Sequence, residues 1–152
     1  MNLKAFVAAV IIASISSIAV AEDCHGDKEI EVLALNMYHE ARGDGPDAMQ
    51  MVGEVTLNRV EHKSYPDTIC EVVYQRKQFS WTHTISNHKP RETKAWRQAL
   101  EIATDLISGN IDYFGTRATH FLNPNKVSKL PRWAREFQRV GKIGGHVFYE
   151  MQ

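Results

Sequence analysis

The chain has little cysteine, no charge imbalance and none of the common catalytic signatures. Its 152 residues include two cysteines and five prolines, and its 18 basic and 18 acidic residues cancel. No basic run is dense enough to point to nucleic acid as a partner. There is no internal repeat, low-complexity tract or linker composition, so a single domain is expected. No G-x-S-x-G elbow supports a serine hydrolase. His39-Glu40 does not open an H-E-x-x-H zinc helix, because residue 43 is glycine. A glycine-rich phosphate loop is also missing.

What is present begins with one apolar run, Ala5 to Ala21, after a lysine at position 4. It ends in Ala19-Val20-Ala21, an A-x-A-like cleavage site. Residues 1–21 therefore read as an export signal, and residues 22–152 as one mature domain of common size. A retained anchor is the competing reading, since a spanning helix takes roughly 17–25 residues. Export places the protein in the periplasm or cell envelope, with no membrane contact once the signal is removed. An even cysteine count in an exported chain points to a Cys24–Cys70 disulfide, with two free thiols as the alternative. Charge is unevenly placed: Glu22 to Tyr74 carries twelve acidic and four basic residues, Tyr113 to Gln152 two acidic and seven basic. The basic part is either a solvated face or a surface for an anionic partner.

Helices come first in the chain. Ile30, Leu33, Ala34, Met37 and Ala41 recur at helical spacing, so a helix is expected over Lys28 to Ala41, stopped by Gly43. Pro46 suits the first turn of a second helix, with Ala48, Met51, Val52 and Val55 on its inner face. Thr68 to Tyr74 suits a short helix, and Gln78 to Thr82 has strand-like composition. Trp96, Ala99, Leu100, Ala103, Leu106 and Ile107 mark a third long helix ended by Gly109. Trp96 reads as core. Thr119 to Leu122 and His146 to Tyr149 look extended. The expected class is α+β, mostly helical.

Glu40 sits at the end of the first helix, beside its apolar face. Desolvation and the negative end of the helix dipole both raise a carboxyl pKa there, and Arg42 opposes them. A carboxyl group that keeps its proton near neutral pH can act as a general acid, and the Gly-Asp-Gly-Pro break beside it leaves room for a bulky substrate. A glutamate at a helix end is also an ordinary surface residue. His39, His120 and His146 are candidate ligands of an open zinc site, although their spacing does not demand one. Tyr38, Phe79, Trp81, Phe121, Trp133 and Tyr149 lie near Gln78, Ser80, Thr82, Thr119, His120 and Asn123. Aromatic faces beside amides and hydroxyls suit sugar rings, and aromatics of this kind also fill cores.

The run LNMYHEARGDGPDAMQMVGEVTLNRVEHKSYPDTICEVVYQRKQFSWT resembles the SleB-type cell-wall hydrolase family, which includes spore cortex-lytic enzymes and phage lysins. Tyrosine and glutamate before A-R-G, L-N-R-V, P-x-T-I, Y-Q and Q-F-S follow in the family's order. ATHFLNP, Trp133 and IGGHVFY extend the likeness, which covers Leu33 to Tyr149. The resemblance implies a compact lysozyme-like fold and cleavage of peptidoglycan strands between N-acetylmuramic acid and N-acetylglucosamine. It also implies lytic transglycosylation, with the family's catalytic glutamate falling on Glu40. No cofactor, no metal and a monomer acting on glycan strands are expected. Gln78, Phe79, Ser80, Thr119, His120 and Tyr149 are the expected cleft-lining residues, followed by Trp81 and Asn123, with Tyr38 from the motif. Asp44, Asp47 and Glu54 are the nearest carboxylates for plain hydrolysis. The chain departs from the family in His39, where many relatives carry glycine, and in H-F-L-N after Thr119. It also lacks the peptidoglycan-binding repeat of some relatives, so its basic C-terminal part is a candidate for wall affinity. A zinc amidase using His39, His120 and His146, and an inactive wall-binding module, are the alternative functions.

Overall fold

The protein was described from a computed structural model covering residues 24–152. The export signal expected over residues 1–21 lies outside the described residues. Three long helices, α1 (Asp27–Ala41), α2 (Pro46–Glu61) and α5 (Thr93–Ser108), pack around one core. Short helices α3 (Ile69–Tyr74) and α4 (Trp81–Thr84) lie between them. A three-stranded sheet follows, of β1 (His120–Leu122), β2 (Gln138–Ile143) and β3 (His146–Glu150), with α6 (Trp133–Glu136) inserted after β1. No helix among the described residues is long and apolar enough to cross a membrane.

Asp27 and Glu29 sit in the first turn of α1, where carboxylates favour the dipole. The sequence predicts one apolar face for α1. The helix is instead buried on most sides: Val32 through Tyr38 are all covered, by α2, α3 and α5. A helix buried all round is the centre of its domain. Asn36 is tolerated there because it is fully paired. Its Nδ2 donates to Thr56 Oγ1 at 3.1 Å, and its Oδ1 accepts from Trp81 Nε1 at 2.9 Å. Gly53 lets α2 cross close to its neighbours, since a Cβ there would stand 2.7 Å from Leu106 Cδ1 and 3.0 Å from Met37 Sδ.

Pro46 opens α2 as expected, and Gly109 closes α5 in the left-handed conformation at φ 69°. Thr68 caps α3 by accepting from the Glu71 N–H at 3.2 Å. Cys70 on α3 is bonded to Cys24, with Cα atoms 6.0 Å apart, so the expected disulfide is present. One flank of α2 holds the irregular segment before β1. Gln50 Nε2 donates to Asp112 O at 2.9 Å, Asn58 Nδ2 to Ala118 O at 2.9 Å, and Arg59 Nε to Thr119 O at 2.7 Å. Buried Glu54 accepts the Phe114 N–H at 3.0 Å. These side chains take the place of a partner strand for a backbone that otherwise has none.

All strand pairs are antiparallel, in the order β1-β3-β2. β3 is central and buried on both faces. Phe148 faces the helices and joins the main core, whereas Val147 and Tyr149 join Leu122 in a smaller cluster under Trp133, Ala134 and Phe137. β2 has no counterpart in the sequence reading. QRVGKI is a mostly exposed edge strand with a register break between Arg139 and Gly141, so it lacks the alternation that reveals buried strands.

Candidate functional site

A cleft of about 560 Å³ opens between the end of α1, the Gln78–Ile85 segment and the segment from Phe121 to Val127. Glu40 lies in its wall and, among the described residues, is the only carboxylate lining it. Burial pushes its carboxyl up from 4.5 to about 7, against the opposing pull of the Lys126 and Arg59 charges. A group with that pKa holds its proton through much of the neutral range and can both give and take one.

Gln78, Phe79, Ser80 and Trp81 form one side. The strand-like composition of Gln78 to Thr82 gives no strand: the segment is a turn leading into α4. Its cause is Trp81, which is drawn into the core and held by its bond to Asn36 on α1. Phe79 is buried against Phe121, leaving the polar Gln78 and Ser80 at the surface of the cleft. His39 stacks on Trp81 at 4.6 Å between ring centroids and donates from Nε2 to the His88 carbonyl at 2.9 Å.

Arg59 closes the cleft from below. It is 4 % exposed, its guanidinium stands over the Phe79 and Tyr65 rings, and its Nη1 has no partner. A buried unpaired guanidinium nitrogen beside a carboxyl group leaves a donor free for whatever fills the cleft. Sequence reasoning missed this residue as a site group, because arginine in a helix reads as exposed. Its place four residues after Val55 on the inner face, and within L-N-R-V, was the available signal.

The Gly43–Gly45 break does more than clear space. It brings Asp44 to the β2–β3 turn, where Oδ1 accepts the Gly145 N–H at 2.9 Å. The fit depends on Gly144, at φ 57°, where a Cβ would stand 2.6 Å from Asp44 Cβ. Asp44 Oδ2 lies 3.4 Å from His146 Nδ1, an ion-pair distance without hydrogen-bond alignment. Burial keeps His146 below its ordinary pKa, so the imidazole is neutral at pH 7. Asp44 therefore fastens the end of α1 to the sheet, and with Glu92 it lines a hollow beside the cleft into which Glu40 and Lys126 also face. Glu54 is committed to Gln50 and Phe114, and Asp47 is exposed in the first turn of α2.

Asn123 lines the cleft together with Gln78, Phe79, Ser80, Trp81 and Glu40. Four other sequence candidates do not. Tyr38 is buried in α1, its hydroxyl accepting the Arg91 and Glu92 N–H groups at 3.1 Å each. Thr119 is buried, its carbonyl held by Arg59. His120 and Tyr149 are cross-strand partners on the sheet face turned away from the helices, against Trp133. Strand side chains alternate, so the inward residue of β1 is Phe121. His120, pushed down to about 4 by burial and then by Arg59, is neutral among aromatic rings. His39 and His146 both line the cleft, whereas His120 lies on the far face of the sheet. No three His, Cys, Asp or Glu among the described residues gather closely enough to hold a metal ion.

A family model described as cell wall hydrolase matches residues 43–149, beginning three residues after Glu40. The chain belongs to the cell wall hydrolase family. It is 27% identical to a spore cortex-lytic enzyme of Halalkalibacterium halodurans, over 82% of this chain and 35% of that protein. It is 29% identical to the cell wall hydrolase CwlJ of Oceanobacillus iheyensis, over 82% of this chain and 88% of that one. The chain spans less than half the length of the spore cortex-lytic enzymes it matches. Among solved structures, the catalytic domain of the germination-specific lytic transglycosylase SleB from Bacillus anthracis has a TM-score of 0.66 at 24% identity, covering 84% of this chain and 98% of that domain. The catalytic domain of Bacillus cereus SleB has a TM-score of 0.64 at 26% identity, covering 83% and 92%. The expected α+β, mostly helical fold is that of these domains.

Proposed function

We propose that the protein cleaves peptidoglycan strands between N-acetylmuramic acid and N-acetylglucosamine as a lytic transglycosylase, with Glu40 as the one acid and base. The observation that carries this reading is a single carboxyl in the cleft, shifted to about 7, with no second carboxylate on the cleft wall among the described residues. Protonated Glu40 donates to the glycosidic oxygen as the bond to the muramyl anomeric carbon breaks. The muramyl C6 hydroxyl then attacks that carbon and returns its proton to Glu40. One bond is broken and one formed, no water is consumed, and the product ends in 1,6-anhydro-muramic acid. The two-carboxylate scheme of hydrolysing glycosidases needs a partner placed across the scissile bond. The three carboxylates that follow Glu40 in the sequence, Asp44, Asp47 and Glu54, are committed elsewhere or exposed.

Gln78, Ser80 and Asn123 would hold sugar hydroxyls and acetamido groups, and Arg59 would donate into the floor of the cleft. The activity named for the B. anthracis relative supports the same reaction class. The disulfide supports an oxidising compartment, so the protein is assigned to the cell envelope outside the cytoplasm. Digestion of purified sacculi in the presence of a chelator tests glycan cleavage. Muropeptides with intact stem peptides are expected. Release of free stem peptides, abolished by the chelator, would instead identify a zinc amidase.

Activity should fall as pH rises above about 7, because the first step needs protonated Glu40. Lys126 favours the ionised form, so Lys126→Met should raise the Glu40 pKa. The alkaline limb of kcat/KM should then move up by roughly half a pH unit, the order expected for a partly screened charge. An unmoved or downward-shifted limb would contradict the assignment of that limb to Glu40.

A further inference from the structure

A second hollow, of about 260 Å³, adjoins the cleft on the His39 side and shares His39, Arg42 and Ile85 with it. Its outer wall is the segment between α4 and α5, which contributes Asn87, Lys89 and Arg91. No carboxylate of the described residues lines it. Lys89 and Arg91 are exposed and form no ion pair with any described residue. Arg42 is paired with Glu92 at 2.9 Å, and Glu92 lines the neighbouring hollow with Asp44 rather than this one.

The wall is built rather than loose. The Tyr38 hydroxyl accepts two successive backbone N–H groups, of Arg91 and Glu92. His39 holds the His88 carbonyl, and Asn87 Oδ1 accepts the Lys89 N–H at 3.0 Å. The backbone carrying both free cations is thus fixed to the same turn of α1 that carries Glu40. A fixed backbone confines the two exposed cations to the rim of the hollow, which lowers the ordering cost of binding a carboxylate there.

We propose that this hollow binds the carboxylates of the stem peptide on the muramic residue being cut, an inference that rests on the glycan-cleaving reading above. In that reading Glu40 acts at the anomeric carbon of a muramic ring. The same ring bears, through its lactyl ether at O3, a peptide with several free carboxylates. A ring seated against Glu40 has its peptide leaving within a few ångströms, and the adjoining hollow offers it cations and no competing anion. The site selects peptide-bearing strands over bare ones.

The test compares kcat/KM on soluble peptide-bearing strands with that on strands stripped by an amidase, which keep only the lactyl carboxylate. The wild-type protein should favour peptide-bearing strands about tenfold, mainly through KM and less so at high salt. In Lys89→Ala/Arg91→Ala the ratio should fall toward one. In Lys89→Glu/Arg91→Glu it should invert. Thermal unfolding of each variant checks that the fold is intact. A wild-type ratio of one or below, or a ratio that persists in both variants, overturns the peptide site and leaves the glycan-cleaving reading standing. Failure to cut either polymer overturns that reading, and the peptide site with it.

Discussion

Glu40→Gln is expected to lower glycan cleavage by about 10³-fold or more, while making the protein more stable at neutral pH. The rate effect follows because one group performs both proton transfers, each worth roughly 10²–10⁴. The stability effect follows from the raised pKa. Below 4.5 the folded and unfolded chains both hold the proton, and burying the group costs no ionisation energy. As pH rises through 4.5 the unfolded chain releases the proton while the folded chain keeps it until about 7. Stability therefore falls across that window and stays lower above it. A shift of this size corresponds to ~3 kcal/mol at 1.4 kcal/mol per unit. Glutamine removes the ionisation and keeps the shape. Thermal unfolding of the two proteins should coincide near pH 4 and separate above pH 7, the variant being the more stable. An active variant, or one no more stable at pH 8, would contradict the role and the surroundings assigned to Glu40.

Cys24→Ser/Cys70→Ser is expected to lose about 4 kcal/mol of unfolding free energy, the loop-closure value for a separation of 46 residues. Domains of this size are stable by roughly 5–15 kcal/mol, so this is a large share. The consequence reaches the cleft. Cys70 lies on α3, and the chain runs from α3 directly into Gln78–Trp81. Without the bond α3 depends on its packing against α1 and α2 alone. Denaturant unfolding of the wild type should shift on reduction to the midpoint of the double variant, which itself should not respond to reductant. Equal midpoints in all four samples would contradict a structural role for the bond.

The three long helices were legible because each carries a helical apolar repeat and one boundary signal: the stops at Gly43 and Gly109 and the start at Pro46. The cysteine pairing was legible from the even number of cysteines in a chain expected to be exported. Glu40 was legible twice, as a carboxyl at the end of a core helix and within the family motif. What the sequence hid is local in origin. β2 is an exposed edge strand, and exposed strands carry little alternation. Trp81 turned a strand-like QFSWT into the start of α4 by burying its ring against α1 and bonding Asn36, a contact 45 residues away. His120 and Tyr149 were expected in the cleft, but strand parity turns them to the other face and puts Phe121 in their place. Tyr38 was expected to meet substrate, but its hydroxyl is used by the backbone of the segment after α4. Arg59 and Lys126 were overlooked because a cation's effect on a carboxyl depends on position in space, which neither spacing nor composition records.

The central claim is that one carboxyl group suffices, with the substrate's own C6 hydroxyl as nucleophile. Digestion of sacculi in water enriched in heavy oxygen, followed by mass spectrometry of the released muropeptides, tests it most directly. Transglycosylation predicts anhydro-muramyl ends with no heavy oxygen at the cleaved anomeric carbon. Reducing muramyl ends carrying one heavy oxygen atom would contradict the claim, and would require a water-activating carboxylate that the described residues do not place on the cleft wall.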